Sequence, residues 1–416
     1  MKKLRDFLYH RFSDIFYIWN RELKYIFADQ GVIIFFIIVP LIYPILYAWI
    51  YNHETVREVP MVVVDEDRSS YSREFIRRVD ATPDVFVAYN ALDLQEANHF
   101  VDSRDAFGIL IIPKGFAKDL MTGVQTHVEL HSDLSGILYY KAYMMALNEI
   151  SLRMGREVSA ALNYGPSGEA TKIQVRPIES HSIAVFNPQS GFESFLLPPV
   201  LVLIIQQTML LGVCMLAGTA RERNKFHYLV PVATRHYGGP MRIVLGKSLS
   251  YIFIYMINTL WTLVAVPWLF NLPMLGSAGT YTLFLIPFLL ACTFFSLFIS
   301  LFFKNRETTL IVLVFTSVIF LFLVGVSWPR SAIPPFWRAF GFLIPSTPGA
   351  QGMIAINTMG AKLSDIEVHY KTLWLQTGFY MILATIGYSN QLTLGKKSLR
   401  KALIEHLRNR YRKSME

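Results

Sequence analysis

A polytopic α-helical membrane protein with six transmembrane helices, and an extracytoplasmic α/β domain inserted between the first two, is the fold class this sequence predicts. Three observations lead to it. Hydrophobic residues make up 53% of the 416 and charged residues 17%, with a mean hydropathy of +0.37, too apolar for an ordinary soluble chain of this length. Apolar stretches occur at 32–51, 192–218, 246–270, 280–303, 308–326 and 372–394, each close to the roughly 20 residues a helix needs to cross a hydrocarbon core of about 30 Å. The third observation is where the positive charge lies. Lys and Arg number six in 1–30, six in 220–247, two in 304–306 and eight in 395–416, against four in the short loops of the opposite side. By the positive-inside rule both termini face the cytoplasm, and the insert lies outside, its own thirteen basic residues being discounted because large domains translocate largely regardless of charge. The same placement turns the net charge of +9 toward lipid and away from nucleic acid.

Taken in order, residues 1–30 form a cytoplasmic N-terminus with an amphipathic helix. Phe12, Ile15, Phe16, Trp19, Leu23, Ile26 and Phe27 recur at spacings of three and four, and Asp14, Arg21, Glu22 and Lys24 take the other face. Such a helix beside a span lies flat in the membrane interface; packing on a cytosolic partner is compatible with it. With acidic residues ahead of the first span and no small-residue cleavage site behind it, that span is expected to remain in the mature protein. The first span, 31–51, carries Pro40 and Pro44, which remove backbone donors and kink it.

Residues 52–190 form the extracytoplasmic domain. An apolar run at 61–64, a helix over 69–79, a strand at 85–89, an Asp-capped helix at 93–103, a strand at 109–112 ended by Pro113, a short helix at 116–121 closed by Gly123, a strand at 128–131, a helix over 137–162 and a last extended run at 173–175 alternate as an α/β sheet domain does. Residues 191–394 hold the second to sixth spans, with a cytoplasmic loop at 220–245. Between the last two lies a region, 327–360, rich in Pro and aromatics, whose apolar pieces are too short to cross and fit a re-entrant pair of half-helices on the outer side. The tail, 395–416, is basic and is expected at the anionic cytoplasmic surface. Cys214 and Cys292 both fall in spans, so no disulfide framework is available to the outer domain, and they read as small apolar fillers.

Two sequence features mimic nucleotide chemistry. Val62-Val63-Val64-Asp65-Glu66 has the look of a Walker B strand, but the charge argument puts it outside, away from cytoplasmic ATP. Gly246-Lys247-Ser248 ends like a P-loop, yet Met241 stands where the first glycine is required and no strand precedes it. No metal-ligand cluster and no nucleophile motif is visible in the sequence, so the chain is expected to be non-catalytic, with neither metal nor cofactor of its own.

The loop after the second span is the more informative stretch. Arg221, Glu222, Arg223, Asn224 and Lys225 run into Phe226, His227, Tyr228 and Leu229, dense charge beside an aromatic and aliphatic core, as in a segment that docks on a protein partner. The basic residues also serve to enforce topology, the simpler reading for Arg235 and Arg242. Within the spans, Gln206 and Gln207 are candidates to line a substrate path; glutamine is equally an interhelical glue. Glu193 is expected at headgroup level.

With these pieces in place the chain resembles the permease subunits of ABC-2 type transporters, in particular the exporter branch with a large external domain after the first span. The resemblance covers nearly the whole chain and rests on the order of Arg21-Glu22-Leu23, Val63-Val64-Asp65-Glu66-Asp67, Ile112-Pro113-Lys114-Gly115-Phe116, Arg221-Glu222-Arg223, Leu245-Gly246-Lys247 and the stretch from Gly325 through Pro329, Pro334-Pro335 and Ile344-Pro345 to Gly360. It implies a coupling helix at 220–232 seated on a separate ATPase, with Arg221, Glu222 and Arg223 at its charged start, Phe226, His227, Tyr228 and Leu229 following, and Trp19 and Glu22 of the interfacial helix adding to the contact. Members commonly continue with Gly-Thr-x-Glu, where Lys225-Phe226-His227-Tyr228 stands here, which points to a divergent subgroup with a dedicated ATPase.

The resemblance further implies two ATPase subunits carrying ATP and Mg, a homodimer or a heterodimer with a similar permease, a bacterial inner membrane, and a lipophilic or amphiphilic cargo. A periplasmic adaptor and an outer-membrane channel are further candidate partners. The alternative class is a membrane signalling or surface-interaction protein whose external domain binds a ligand; against it stand six spans and no sizeable cytoplasmic effector domain.

Overall fold

The computed structural model describes residues 2–52, 56–164, 186–187, 191–222 and 239–413, with backbone alone for 2–11, 162–164 and 394–413. The chain divides into two compact units, Met1–Asn52 with Phe186–Glu416, and His53–Val185.

The first unit begins with α1, Lys2–Ala28. It stops at Asp29, whose extended backbone and side-chain bonds to the Gly31 and Val32 amides (3.1 and 3.3 Å) cap the next helix, α2, Gln30–Tyr51. A wider π-helical turn, Ile34–Ile38, precedes Pro40 in α2.

The second unit is an α/β domain. In chain order it contains β1 Val59–Asp65, α3 Ser70–Asp80, β2 Val85–Ala91, α4 Leu94–Asp102, β3 Gly108–Ile112, α5 Phe116–Thr122, β4 Glu129–Ser132 and α6 Ile137–Tyr164. The strand order is β2-β1-β3-β4, with β1 parallel to both neighbours and β4 antiparallel to β3. The two central strands are almost entirely apolar because both faces are covered. Phe75 and Val79 of α3 and Tyr143 and Ile150 of α6 pack on one face, and Ala97 of α4 on the other. Gly108 is required by that packing, since a Cβ there would lie 2.6 Å from the Tyr143 ring. Ser69 forms a reciprocal capping box with Ser72, Asp93 caps α4 through the Glu96 amide, and Gly123 closes α5 at φ 75°. Each element expected between 61 and 162 is found to within about two residues; the extended run at 173–175 lies outside the described residues.

The first unit resumes with α7 Phe192–Glu222, α8 Gly239–Leu269, α9 Ala278–Phe302 and α10 Arg306–Val324. Two short helices follow, α11 Pro335–Gly341 and α12 Ser346–Met359, and then a 47-residue helix, α13 Glu367–Lys413. Helix α7 is the hub, buried along almost its whole length and packed against α2, α9, α10 and α12. Among the described residues five helices are long and apolar enough to cross a membrane: α2, α7, α8, α9 and α10. The sixth expected span falls within α13, which is not among them. Its inward positions Gln376 and Thr377 are buried polar groups that lower its apolar content while serving neighbouring helices.

The kinked α2 shows how the helices satisfy one another. Pro40 has no amide to give the Phe36 carbonyl, and Asn258 Nδ2 of α8 donates to it at 2.6 Å. Pro44 likewise leaves the Pro40 carbonyl free, and Thr262 Oγ1 donates to it at 3.3 Å. A proline is tolerated inside a span where a neighbouring helix replaces the missing donor.

Helix α1 packs on the rest of the unit through a face that its apolar pattern does not single out. The face packed on the rest of the unit is Asp14, Ile18, Glu22 and Ile26, one residue per helical turn and all buried. The predicted apolar face splits: Ile26 turns inward, whereas Phe12, Phe16 and Phe27 are more than half exposed. Hydrophobicity alone does not mark the packed face, because Asp14 and Glu22 find cations there.

Candidate functional site

Helix α1 lies along α8, and the contact is built on buried ion pairs. Asp14 receives Arg242 Nη1 at 2.7 Å, with both side chains less than a tenth exposed. Eight residues on, both Glu22 oxygens accept from Lys247 Nζ at 2.7 Å, and the Tyr251 hydroxyl donates to the same carboxylate. Between these pairs Gly246 lets the helices touch: a Cβ would stand 2.8 Å from Ile18 Cβ and 2.9 Å from the Ile15 carbonyl. Ser250 donates to the Trp19 carbonyl at 3.0 Å. Gly246-Lys247-Ser248, which ends like a P-loop, is thus the seam of a helix pair, and Arg242 has a specific buried partner beyond any topological duty.

The contact continues at the end of α7. Arg221 donates to the Ser300 carbonyl at 2.8 Å, and Glu222 accepts from the Arg306 amide at 2.8 Å. The Arg306 side chain in turn reaches Asp29 at 3.0 Å. One polar chain therefore runs from the last residue of α7, through the link before α10, to the residue that caps α2. Gly218 belongs to the same junction, its α-carbon facing the Asn305–Arg306 backbone at a distance that a Cβ would bring to 3.0 Å.

The expected docking residues are distributed as follows. Arg221 and Glu222 are described and bonded within the chain. Arg223, Phe226, His227, Tyr228 and Leu229, like Arg235, lie outside the described residues. Trp19 is half-buried, edge-on to Phe16 and Phe253. Glu22 is 2% exposed; its carboxylate is turned into the protein, so it positions α1 and offers no surface to a second chain.

A second polar cluster surrounds the break between α11 and α12. These helices, of 7 and 14 residues, are too short to cross, as the re-entrant reading expects. Side chains of longer helices tie their junction. Gln206 Oε1 of α7 accepts from the Ser346 amide at the start of α12. On α13, Gln376 Nε2 donates to the Phe342 carbonyl and Tyr380 to the Leu343 carbonyl, while Gln351 donates to the Val324 carbonyl at the end of α10 (2.7 Å). Backbone groups freed where helices end must find such partners when water is absent.

Gln206 is therefore at least an interhelical tie. Gln207, 8% exposed, has no hydrogen-bond partner for either amide atom among the described residues, and the Gln206 Nε2, Ser346 and Thr347 hydroxyls are in the same position. Glu193, expected at headgroup level, is 1% exposed in the first turn of α7, where the helix dipole favours a negative charge.

Sequence reasoning missed Asp14, Asp29, Arg306, Tyr251, Gln376 and Tyr380. The signal for the first was available: carboxylates at 14 and 22 share a helical face with Ile18 and Ile26, and carboxylates on a packing face require cations opposite.

Helices of this length and apolarity, buried ion pairs at their ends and amide-tied half-helices define a multi-pass membrane protein. Comparison with known proteins sharpens the class. A family model described as ABC-2 family transporter protein matches residues 31–386, and the chain belongs to that family. Among curated proteins, ABC transporter G family member 23 of Dictyostelium discoideum is 22% identical over 313 residues, which is 74% of this chain and 42% of that protein.

Proposed function

We propose that this chain is the transmembrane permease of an ATP-driven exporter, working with two copies of a separate ATPase that hold ATP and Mg, and moving a lipophilic or amphiphilic cargo outward from the inner leaflet of a bacterial inner membrane. Both termini and the 220–245 loop face the cytoplasm, and the α/β unit faces outward. The core is a dimer, with a second copy or with a similar permease. The observation that carries this reading is the bonded route from Glu222 through Arg306 to Asp29. It starts where the docking loop begins and ends at the first turn of α2, so a push on the loop is delivered to helices through directly bonded groups. Gln206 and Gln207 sit on α7, the hub helix, and Gln207, whose amide has no hydrogen-bond partner among the described residues, is the candidate contact for cargo.

The test is co-purification and turnover. Replacing Phe226 and Tyr228 together with Ala should reduce ATPase recovered with the permease by about tenfold, the equivalent of roughly 1.4 kcal/mol, while membrane insertion stays intact. Unchanged recovery moves the docking site elsewhere. ATP hydrolysis that no lipophilic compound stimulates, in the intact complex, removes export.

A further inference from the structure

The helical unit contains a cavity of about 490 Å³ among α1, α2, α7, α8 and α10. Its lining is divided. Glu22, Asp29, Lys247 and Arg306 supply two carboxylates and two cations, and Ile34 and Leu216 supply apolar wall. Lys247 stands 2.7 Å from Glu22, and Arg306 3.0 Å from Asp29, so the formal charges cancel. Thr219 also lines the cavity, and its buried hydroxyl has no hydrogen-bond partner among the described residues.

This chemistry selects a class of ligand. A lone anion would meet two carboxylates and a lone cation would meet Lys247 and Arg306. A molecule with a phosphate and an ammonium a few bonds apart satisfies both signs: the guanidinium forks onto phosphate oxygens, and an ammonium donates hydrogen bonds to a carboxylate. A primary ammonium has these N–H donors and a quaternary one does not. The volume is within the range of small-molecule sites, about 300–1,000 Å³, and the apolar wall suits carbon beyond the phosphate. Ile34 is 44% exposed, so the apolar side of the cavity continues onto the outer surface of α2.

We infer that this cavity binds the headgroup of a zwitterionic phospholipid with a primary ammonium, of the phosphatidylethanolamine class, from the leaflet beside α1. The leaflet is the cytoplasmic one if the orientation proposed above holds; the binding itself does not depend on that. Free phosphoethanolamine carries the same charges without the apolar part, and dihexanoylglycerol carries the apolar part without the charges, so the two separate the sources of affinity.

The experiment uses the full chain in a non-ionic detergent and reads its thermal unfolding midpoint. Dihexanoyl-phosphatidylethanolamine should raise the midpoint by about 3 °C near saturation, with phosphoethanolamine and dihexanoylglycerol each giving less than a third of that shift. Ile34→Trp and Ala28→Trp, which fill the cavity from exposed positions without touching an ion pair, should abolish the shift. A shift retained in both variants overturns the site. An equal shift from dihexanoylglycerol reduces it to an apolar contact, and an equal shift from phosphoethanolamine makes it a site for a soluble zwitterion; either result overturns the lipid. Independently of any variant, native mass spectrometry of the wild-type chain should retain one phosphatidylethanolamine per chain, and a chain that retains none counts against the site. These outcomes are separate from transport: a lipid-dependent shift without ATPase co-purification keeps the site and removes the exporter reading, and labelling Ala28→Cys with a membrane-impermeant maleimide from each side reports the leaflet.

Discussion

The seam between α1 and α8 and the knot around the α11–α12 junction both place polar groups inside a membrane protein, but with opposite chemistry. The seam uses full charges, Asp14 with Arg242 and Glu22 with Lys247, on helices whose backbones are intact. The knot uses neutral amides and a phenol, Gln206, Gln376 and Tyr380, on backbone that two short helices leave unpaired. A broken helix needs a donor or an acceptor at a fixed point, and an amide supplies either without bringing a charge into low dielectric. Two intact helices need register, which a matched pair of charges enforces because any slip leaves an ion buried alone. The seam is thus a device for keeping α1 and α8 in register, and the knot one for holding the α11–α12 junction still.

The contrast breaks most visibly at the seam. Glu22→Gln leaves Lys247 buried against a neutral group, and removing one member of a buried pair costs about 3–5 kcal/mol. The expected outcome is a large drop in thermal unfolding midpoint in detergent, together with faster hydrogen exchange along α1. The charge swap Glu22→Lys with Lys247→Glu should recover part of the loss. A single variant as stable as wild type would mean that packing of Ile18 against Gly246, and not charge, sets the register.

The knot should respond less. Gln376→Leu strands the Phe342 carbonyl, and a buried group left without its partner costs about 1–3 kcal/mol. Asn258→Leu, which strands the Phe36 carbonyl in the kink of α2, belongs to the same class and should cost a similar amount. Exchange should rise locally, near residues 340–346 in the first case and near Pro40 in the second. A loss from Gln376→Leu as large as that from Glu22→Gln would erase the distinction between neutral ties and charged ones.

How much of this could be read from the chain depends on whether a group's partner is near it in sequence. In the α/β unit, Asp93, Pro113 and Gly123 act on backbone within a few residues, so its elements were legible. Span lengths were legible for the same reason, since apolar runs are local. The packed face of α1 was legible only through the face that Asp14 and Glu22 share with Ile18 and Ile26, because their partners lie 228 and 225 residues away. The quoted motifs were legible as words while their pairing was not. Arg21-Glu22-Leu23 and Leu245-Gly246-Lys247 meet in the seam. Asp67 accepts from the Gly115 and Ala117 amides (3.0 and 3.2 Å), joining two other motifs at the end of the sheet. In α13, Gln376 counted against a span by composition for the same reason that it is useful there.

The smallest effect is expected where the seam's geometry recurs on the surface. In the α/β unit Arg104 and Asp133 stand 2.9 Å apart, with the arginine 65% exposed. Hydrogen bonds from the Ser135 amide and hydroxyl, with Arg104 adding its charge, hold the Asp133 carboxyl below the usual carboxylate range. A depressed carboxylate contributes stability above its unfolded value, about 3.9 for Asp, and that contribution is lost as pH falls through the lower folded value. Arg104→Ala should therefore leave the unfolding midpoint at pH 7 within error, because solvent screens an exposed pair. Asp133→Asn should leave hydrogen exchange around residues 130–136 nearly independent of protonation, once the intrinsic pH dependence of exchange is divided out, where wild type loses protection as pH falls below the unfolded value of about 3.9. If Arg104→Ala were as damaging as Glu22→Gln, distance alone would set the strength of these pairs; if it is silent, burial does, and the seam between α1 and α8 is strong because its four charged side chains are less than a tenth exposed.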